Sequence, residues 1–496
     1  MSTKPDEKCF DKTSIRDGDA ALQFLDNGTA RPMSPEDEKR LVRKIDWMVV
    51  PMMCACYFLQ YVDKTLINYA NVMDLEPDTG INGDQFSTLA LVFYVTYLAF
   101  EFPTGYLMQR LPTAKYLGAN VILWGVMVAC TSAAHNWAGL VSLRVLLGCF
   151  EAAVAPSLIL ITAMWYKKKE QPPRVGLWYV GTGFAKMVGA LTSFGFQHYE
   201  GSRFRSWQIM FLVFGLITVG VGTLVMLFMP DNPMTAKNLT EDEKIWAVSR
   251  LRENRTGIEN KHFKPRQVLE CFLDPQTWLL GVIVIASNIP NGFVSSYLAT
   301  VIKGFGFTSK ESALLSIPAG AVATACIIGA TWFAGRYNFR GPFVIAMLAL
   351  GFTGSSLMAF LPNKNSAGIV AGKLIGAYCA EGIGASLPLM YSYASANFAG
   401  HTKKVTINAF MLVSFCIGNI IGPLTFRDKD KPQYIPAKVA MVVTTAFAAV
   451  TTVVLMLYYT WENRRRDRRD SGVGHLENSE FLDLTDRQNQ EFRYVL

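Results

Sequence analysis

Twelve apolar runs of about 20 residues each divide this chain, and a helix of that length crosses ~30 Å of hydrocarbon. They fall near 47–70, 86–109, 115–134, 138–165, 175–197 and 207–229, then near 277–300, 311–334, 341–361, 367–391, 404–426 and 438–461. Lipid offers no partner to a backbone N–H or C=O, so each run must satisfy its own as an α-helix. The chain is therefore expected to be an all-α membrane protein.

Composition agrees. Only 17% of the 496 residues are charged and 51% are hydrophobic, against about 25% charged in an ordinary soluble domain. The net charge of +8 sits in short Lys/Arg clusters beside the apolar runs, as the positive-inside rule distributes it, and does not form a nucleic-acid surface. Arg110 and Lys115, Lys167 to Lys169, Arg336 and Arg340, Lys403 and Lys404, and Arg464 to Arg469 mark one side as cytosolic. The first loop on the other side is acidic, with Asp74, Glu76, Asp78 and Asp84, whereas Arg427 to Lys431 is of mixed sign. Both termini are expected in the cytosol. Most cysteines lie within apolar runs and read as buried free thiols.

The polar stretches divide the chain further. Residues 1–46 are expected to be a disordered cytosolic tail without a secretory signal. Residues 47–229 then form a first six-helix bundle, 230–276 a cytosolic linker, 277–461 a second six-helix bundle and 462–496 a cytosolic C-terminal tail. Within the linker, Thr240 ahead of Glu241-Asp242-Glu243 caps an expected helix. A weak repeat relates the halves: Arg144, Glu151 and Pro156 in the fourth run correspond to Lys373, Glu381 and Pro388 in the tenth.

Charge within the apolar runs carries the functional reading. A charged residue at a helix centre costs at least about 2.5–3.5 kcal/mol on insertion scales, so it stays where it pairs, lines a wet cavity or binds something. Arg144 and Glu151 stand two helical turns apart on one face. Arginine keeps its proton and holds an anion with a planar fork, whereas glutamate can carry a proton. A fixed cation beside a titratable acid suits anion–proton symport; a static lock is the structural alternative. Asp63 and Lys64 are about 100° apart on their helix, so each looks elsewhere for a partner, in a central cavity or at the interface. Glu101 precedes Phe102-Pro103, an expected bend, and is either a proton carrier or a tie between helices. Lys186 lies mid-span among small residues, as an anion contact or a partner of Glu101 or Glu151. Lys373 is close enough to a helix end to snorkel, and Glu381 lies deeper.

No Walker sequence, metal-ligand spacing or nucleophile–base constellation occurs, so neither an enzyme nor a bound cofactor is expected and the proton gradient supplies the drive.

Several motifs resemble the anion:cation symporter branch of the major facilitator superfamily: Asp63-Lys64, Arg144…Gly148…Glu151…Pro156, and Trp165-Tyr166 leading to Glu170-Gln171…Arg174. Pro230-Asp231-Asn232-Pro233, Arg250-Leu251-Arg252-Glu253-Asn254, Asn288-Ile289-Pro290-Asn291-Gly292, Gly422-Pro423…Phe426 and the closing Phe481-Leu482-Asp483-Leu484-Thr485-Asp486…Tyr494-Val495-Leu496 are similar to the fungal allantoate permease group. The resemblance implies a major facilitator fold of 12 transmembrane helices in two six-helix bundles, with substrate between them and alternating access. It also implies proton-coupled uptake of a small, usually anionic nutrient, such as allantoate, ureidosuccinate, nicotinate, pantothenate, biotin or cysteine, by a monomer in a fungal plasma membrane. On that reading Arg144 and Lys64 contact the anion, with Lys186 ranked behind them. Glu151 and Glu101 are the proton carriers, Asp63 helps hold Lys64, and Glu381 and Lys373 rank lower. The loop Gly105 to Pro112 lacks the aspartate of the general superfamily signature, and Lys186 and Glu381 match no motif of the group. A proton-driven exporter and a non-transporting nutrient sensor are the alternatives from other functional classes.

Overall fold

The computed structural model describes residues 31–167, 170–199, 201, 204–252, 264–362, 366–431, 433–469, 485–489 and 492–496. Residues 1–30, most of the expected N-terminal tail, lie outside that set. Among the described residues the chain is helical and contains no strand.

Helix α1, Pro35–Val72, starts well before the expected boundary at 47. Ser34 Oγ accepts from the Asp37 amide at 3.1 Å, while Asp37 accepts from the Ser34 hydroxyl at 2.8 Å, and this capping box fixes the start. Residues 35–46 are thus helix, a correction to the expected disorder. Helix α2, Gly83–Arg110, continues through Pro103, where the sequence predicts a bend. Helix α3, Thr113–Thr131, is held at its N-terminus by Asp231, whose Oδ1 accepts from the amides of Ala114 at 3.0 Å and Lys115 at 3.2 Å.

The fourth span is interrupted, as α4, Trp137–Glu151, and α5, Val154–Trp165. The fifth is α6, Gln171–Tyr179, with α7, Gly181–Phe196, and the sixth is α8, Ser206–Phe228. Two shorter helices, α9 (Glu241–Arg252) and α10 (Pro265–Leu273), occupy the linker. Thr240 and Glu243 bond reciprocally at the start of α9, as the capping signature requires. The later spans are α11, Pro275–Lys303; α12, Ser309–Leu315, with α13, Ile317–Tyr337; and α14, Gly341–Phe360. There follow α15, Ala367–Ala380, joined through a 3-10 turn, Glu381–Ala385, to α16, Ser386–Asn397; then α17, His401–Leu424, and α18, Ile435–Arg469.

Ten of these spans are long and apolar enough by themselves to cross a membrane. The two that are not, α6–α7 and α15–α16, carry Arg174 with Lys186 and Lys373 with Glu381, and both are broken near their middle. Small residues let backbones meet. A Cβ added at Gly125 of α3 would lie 2.7 Å from the Val219 nitrogen of α8, and one at Gly215 would run into the backbone of Ala129. The eight described cysteines are all free.

The two ends of the bundle are held differently. At the linker end, α9 docks on the first helices: buried Arg250 donates to Glu38 at 2.9 Å and to Glu170 at 2.6 Å, and Lys44 pairs with Glu243 at 2.6 Å. The C-terminal segment is also docked there, against α11, α16, α17 and α18. At the opposite end the first helices close against the later ones. Asn71 Nδ2 donates to Thr300 Oγ1 at 3.2 Å, the Ala299 amide to Asn68 Oδ1 at 3.1 Å, and Ser87 Oγ to the Phe426 carbonyl at 3.0 Å. The mixed-sign loop is explained here: Lys431 pairs with Glu76 at 2.6 Å, and the Asp428 amide donates to Asp84 at 3.1 Å.

Candidate functional site

A cavity of about 70 Å³ lies between the early and late helices. Helix α1 contributes Tyr57, Tyr61 and Lys64; α2 contributes Tyr94; Tyr179 ends α6; and α7 contributes Thr182 and Lys186. Across from them stand Asn288, Asn291 and Ser295 of α11, with Phe415 of α17. A water needs about 10–15 Å³ and drug-sized ligands about 300–1,000 Å³, so this space holds a few waters and is too small for a drug-sized ligand.

Lys64, Glu151, Lys186 and Glu381 gather at this cavity, but not in the expected pairs. Glu151, at the last turn of α4, has no solvent exposure, and Lys64 Nζ lies 3.2 Å from its Oε1. That approach lacks hydrogen-bond geometry, so neither Glu151 oxygen has a hydrogen-bond partner among the described residues. Lys64 also stands over Tyr97 and Phe93, at 5.3 and 5.8 Å from their ring centroids. Lys64 is therefore held by Glu151. Asp63, expected to hold it, instead accepts from Trp124 Nε1 at 3.4 Å. The reason is helical geometry, which sends adjacent residues to different neighbours.

Arg144 is buried and forms no ion pair among the described residues, although Asp63 and Glu151 are the carboxylates whose charge it feels. Sharing a face with Glu151 does not give it that partner. Arg144 also does not line the cavity. Glu101 is largely enclosed, with Oε2 lacking a hydrogen-bond partner and Lys64 as the charge nearest in effect.

Lys186 pairs with Glu381, not with Glu101 or Glu151 as expected. The pair links α7 to the 3-10 turn of the tenth span, a relationship that sequence separation hides. Lys373 is buried, with its ammonium 5.7 Å from the Phe305 ring centroid, and Lys438 approaches the same ring at 5.1 Å.

One regularity emerges. Among the residues lining the cavity, the charged ones are the cations Lys64 and Lys186. Their carboxylates, Glu151 and Glu381, stand behind them, buried and outside the lining. The wall is thus positive and aromatic, with neutral donors and acceptors opposite. Sequence reading missed the tyrosines, which resemble packing stripes, and Asn288, Asn291 and Ser295. Two asparagines flanking Pro290 within an apolar run were the available signal; Asn291 Nδ2 donates to Asn419 Oδ1 at 3.0 Å.

Comparison with known proteins fits this architecture. The profile described as Major Facilitator Superfamily matches residues 53–423. The "Thiamine pathway transporter THI73" of Saccharomyces cerevisiae is 35% identical over 99% of this chain and 96% of its own length. The "Allantoate permease" of the same yeast is 34% identical over 96% of this chain and 90% of its own length. The inward open xylose transporter XylE from E. coli superposes with a TM-score of 0.65, covering 81% of this chain and 95% of that one at 13% identity, a likeness of fold alone. This chain belongs to the major facilitator superfamily, among the fungal transporters related to the allantoate permease.

Proposed function

We propose that this protein is a proton-coupled importer of a small organic anion, working by alternating access with both termini in the cytosol of a fungal cell and the closed end facing out. One observation carries the anionic reading: the cavity presents two ammonium groups whose carboxylates are withheld behind them. An entering carboxylate meets Lys64 first. Its neutral parts then face Asn288, Asn291 and Ser295 across the cavity, and the tyrosines accept a flat body.

Coupling in this reading uses Glu151. While charged, it occupies Lys64; once protonated, it releases the ammonium to the substrate. Arg144 and Asp63 set the field behind the pair, and Glu101 is a second carrier on the same side. The allantoate permease among the relatives favours a nitrogen-bearing carboxylate, and the plasma membrane is the proposed site of action.

The test is uptake by permease-deficient cells expressing the chain, at acidic and slightly alkaline outer pH, with and without a protonophore. The labelled panel holds allantoate, ureidosuccinate, nicotinate, pantothenate and cysteine. One anion should be taken up faster in acid and lose that advantage with the protonophore. Surface-located protein that moves none of them inward, or that expels one, overturns the importer reading.

A further inference from the structure

The second cation on the cavity wall ties the two sets of helices together. Lys186 of α7 reaches Glu381 at the head of the 3-10 turn, and the two side chains are 7% and 1% exposed. Close by, α7 meets α13 backbone to backbone: a Cβ on Gly183 would sit 2.8 Å from the Gly320 carbonyl oxygen. When the cavity widens across this seam, the contact that must part is a buried charge pair. Separating it with both charges intact strands each one in an apolar setting.

Two events remove that obstacle, and the geometry accommodates both. Glu381 Oε1 is buried without a hydrogen-bond partner, so it can take a proton without displacing a bond. Lys186 lines the cavity beside Thr182, so an anion inside can reach the ammonium. The ionisable groups that bear on Glu381 are Lys186 of α7, Tyr69 of α1 and Cys326 of α13, with Cys379 nearby on α15. Tyr61 of α1 lies 5.6 Å from the Lys186 ammonium, measured to its ring centroid. Helices α14 and α16 also pack on the turn but carry no charged residue, and α11 carries only Lys303 at its far end.

We infer that Lys186–Glu381 is an exchangeable lock between the halves: Glu381 takes a proton and becomes a neutral acid, and the substrate's carboxylate replaces it on Lys186. This rests on the symport reading above and adds the coupling step to it. An anion without a proton crowds two carboxylates on one ammonium. A proton without an anion leaves a buried ammonium alone. Each is disfavoured singly and permitted together, which is how two ligands become thermodynamically linked.

The experiment uses the full-length chain in proteoliposomes, with whichever labelled panel anion the wild type accumulates. A one-unit pH difference supports up to about tenfold accumulation at one proton per anion. Glu381→Gln should lose that accumulation yet still exchange labelled for unlabelled anion across the membrane. Lys186→Gln should lose both. Normal accumulation by Glu381→Gln, or normal exchange by Lys186→Gln, overturns the inference.

A substrate-free arm separates failure of the lock from failure of the symport reading. The closed end is held by hydrogen bonds, buried at Asn68 and Ser87, and the central pair adds its own tie between the same two sets of helices. Amide hydrogen exchange in peptides covering 66–88 and 296–305 should quicken several-fold in purified Glu381→Gln relative to wild type at the same pH. Unchanged exchange there overturns the lock even if no panel anion is transported.

Discussion

Lys403 and Asp486 meet at 2.8 Å with no solvent exposure on either side chain, which fastens the C-terminal segment to the start of α17. The same ammonium lies 2.9 Å from Asp274 and 3.1 Å from Glu270. Around it, Tyr494 donates to Asp486 at 2.8 Å and stacks on Tyr459 at 4.9 Å, while Arg466 donates to the carbonyls of Asp486 and Phe492, each at 2.9 Å. Asn397 exchanges two bonds with the Val495 backbone, at 3.0 and 2.7 Å. The end of the chain is thus a structural clasp across the linker end of the later helices.

Lys403→Met tests the clasp. It leaves Asp486 buried without its cation and Asp274 with Arg487 alone, at 3.3 Å, a loss of about 3–5 kcal/mol by analogy with broken buried pairs. Thermal unfolding of the detergent-purified protein should shift down by several degrees, and removal of residues 485–496 should do the same. An unchanged midpoint in both would show that the clasp contributes nothing to stability.

Glu151→Gln should abolish the acceleration of uptake by external acid, because Lys64 then faces the cavity permanently without its charged partner. Arg144→Ala should lower uptake by at least about tenfold, since it removes the fixed charge between Asp63 and Glu151. Initial rates at two pH values, normalised to surface protein, check both. Wild-type behaviour in either variant removes that residue from the mechanism.

Gly183→Ala probes the seam between α7 and α13. The new methyl would meet Thr324 Oγ1, which donates to the Gly320 carbonyl at 2.9 Å, and would lie 2.8 Å from that carbonyl oxygen itself. Overpacking of this kind costs about 1–3 kcal/mol, here specifically in the contracted state. Uptake should fall while surface abundance holds; transport at the wild-type rate would show that the seam is not that tight during the cycle.

The Lys44–Glu243 pair makes linker docking pH-dependent in a known direction. Partial burial works to raise the Glu243 carboxyl, but the Lys44 bond and the Thr240 amide outweigh it and hold it below the usual glutamate value. A depressed carboxyl stabilises docking above its unfolded value and loses that contribution as pH falls through the folded one. Limited proteolysis of the linker should be faster in Glu243→Gln than in wild type at neutral pH, and equal once acid has protonated the wild-type carboxyl. Equal rates at neutral pH would count against the pair.

The sequence by itself determined that the chain crosses a membrane many times, because hydrocarbon leaves a 20-residue apolar run no structure but a helix. It also determined where α9 starts, since Thr240 and Glu243 are local in the chain and their reciprocal bonds need no distant partner. Buried charge was likewise legible as a class: Lys64, Arg144, Glu151, Lys186 and Glu381 stand out against apolar surroundings and do converge. Their pairing was not. Glu151 takes Lys64 from another helix, Lys186 takes Glu381 from the other half of the chain, and Asp63 takes Trp124. A helical period reports which face a side chain leaves from, whereas the partner on that face depends on how helices far apart in sequence are set against one another. Only the tertiary structure decided that, along with the tyrosine and asparagine lining and the docking of the C-terminus on Lys403.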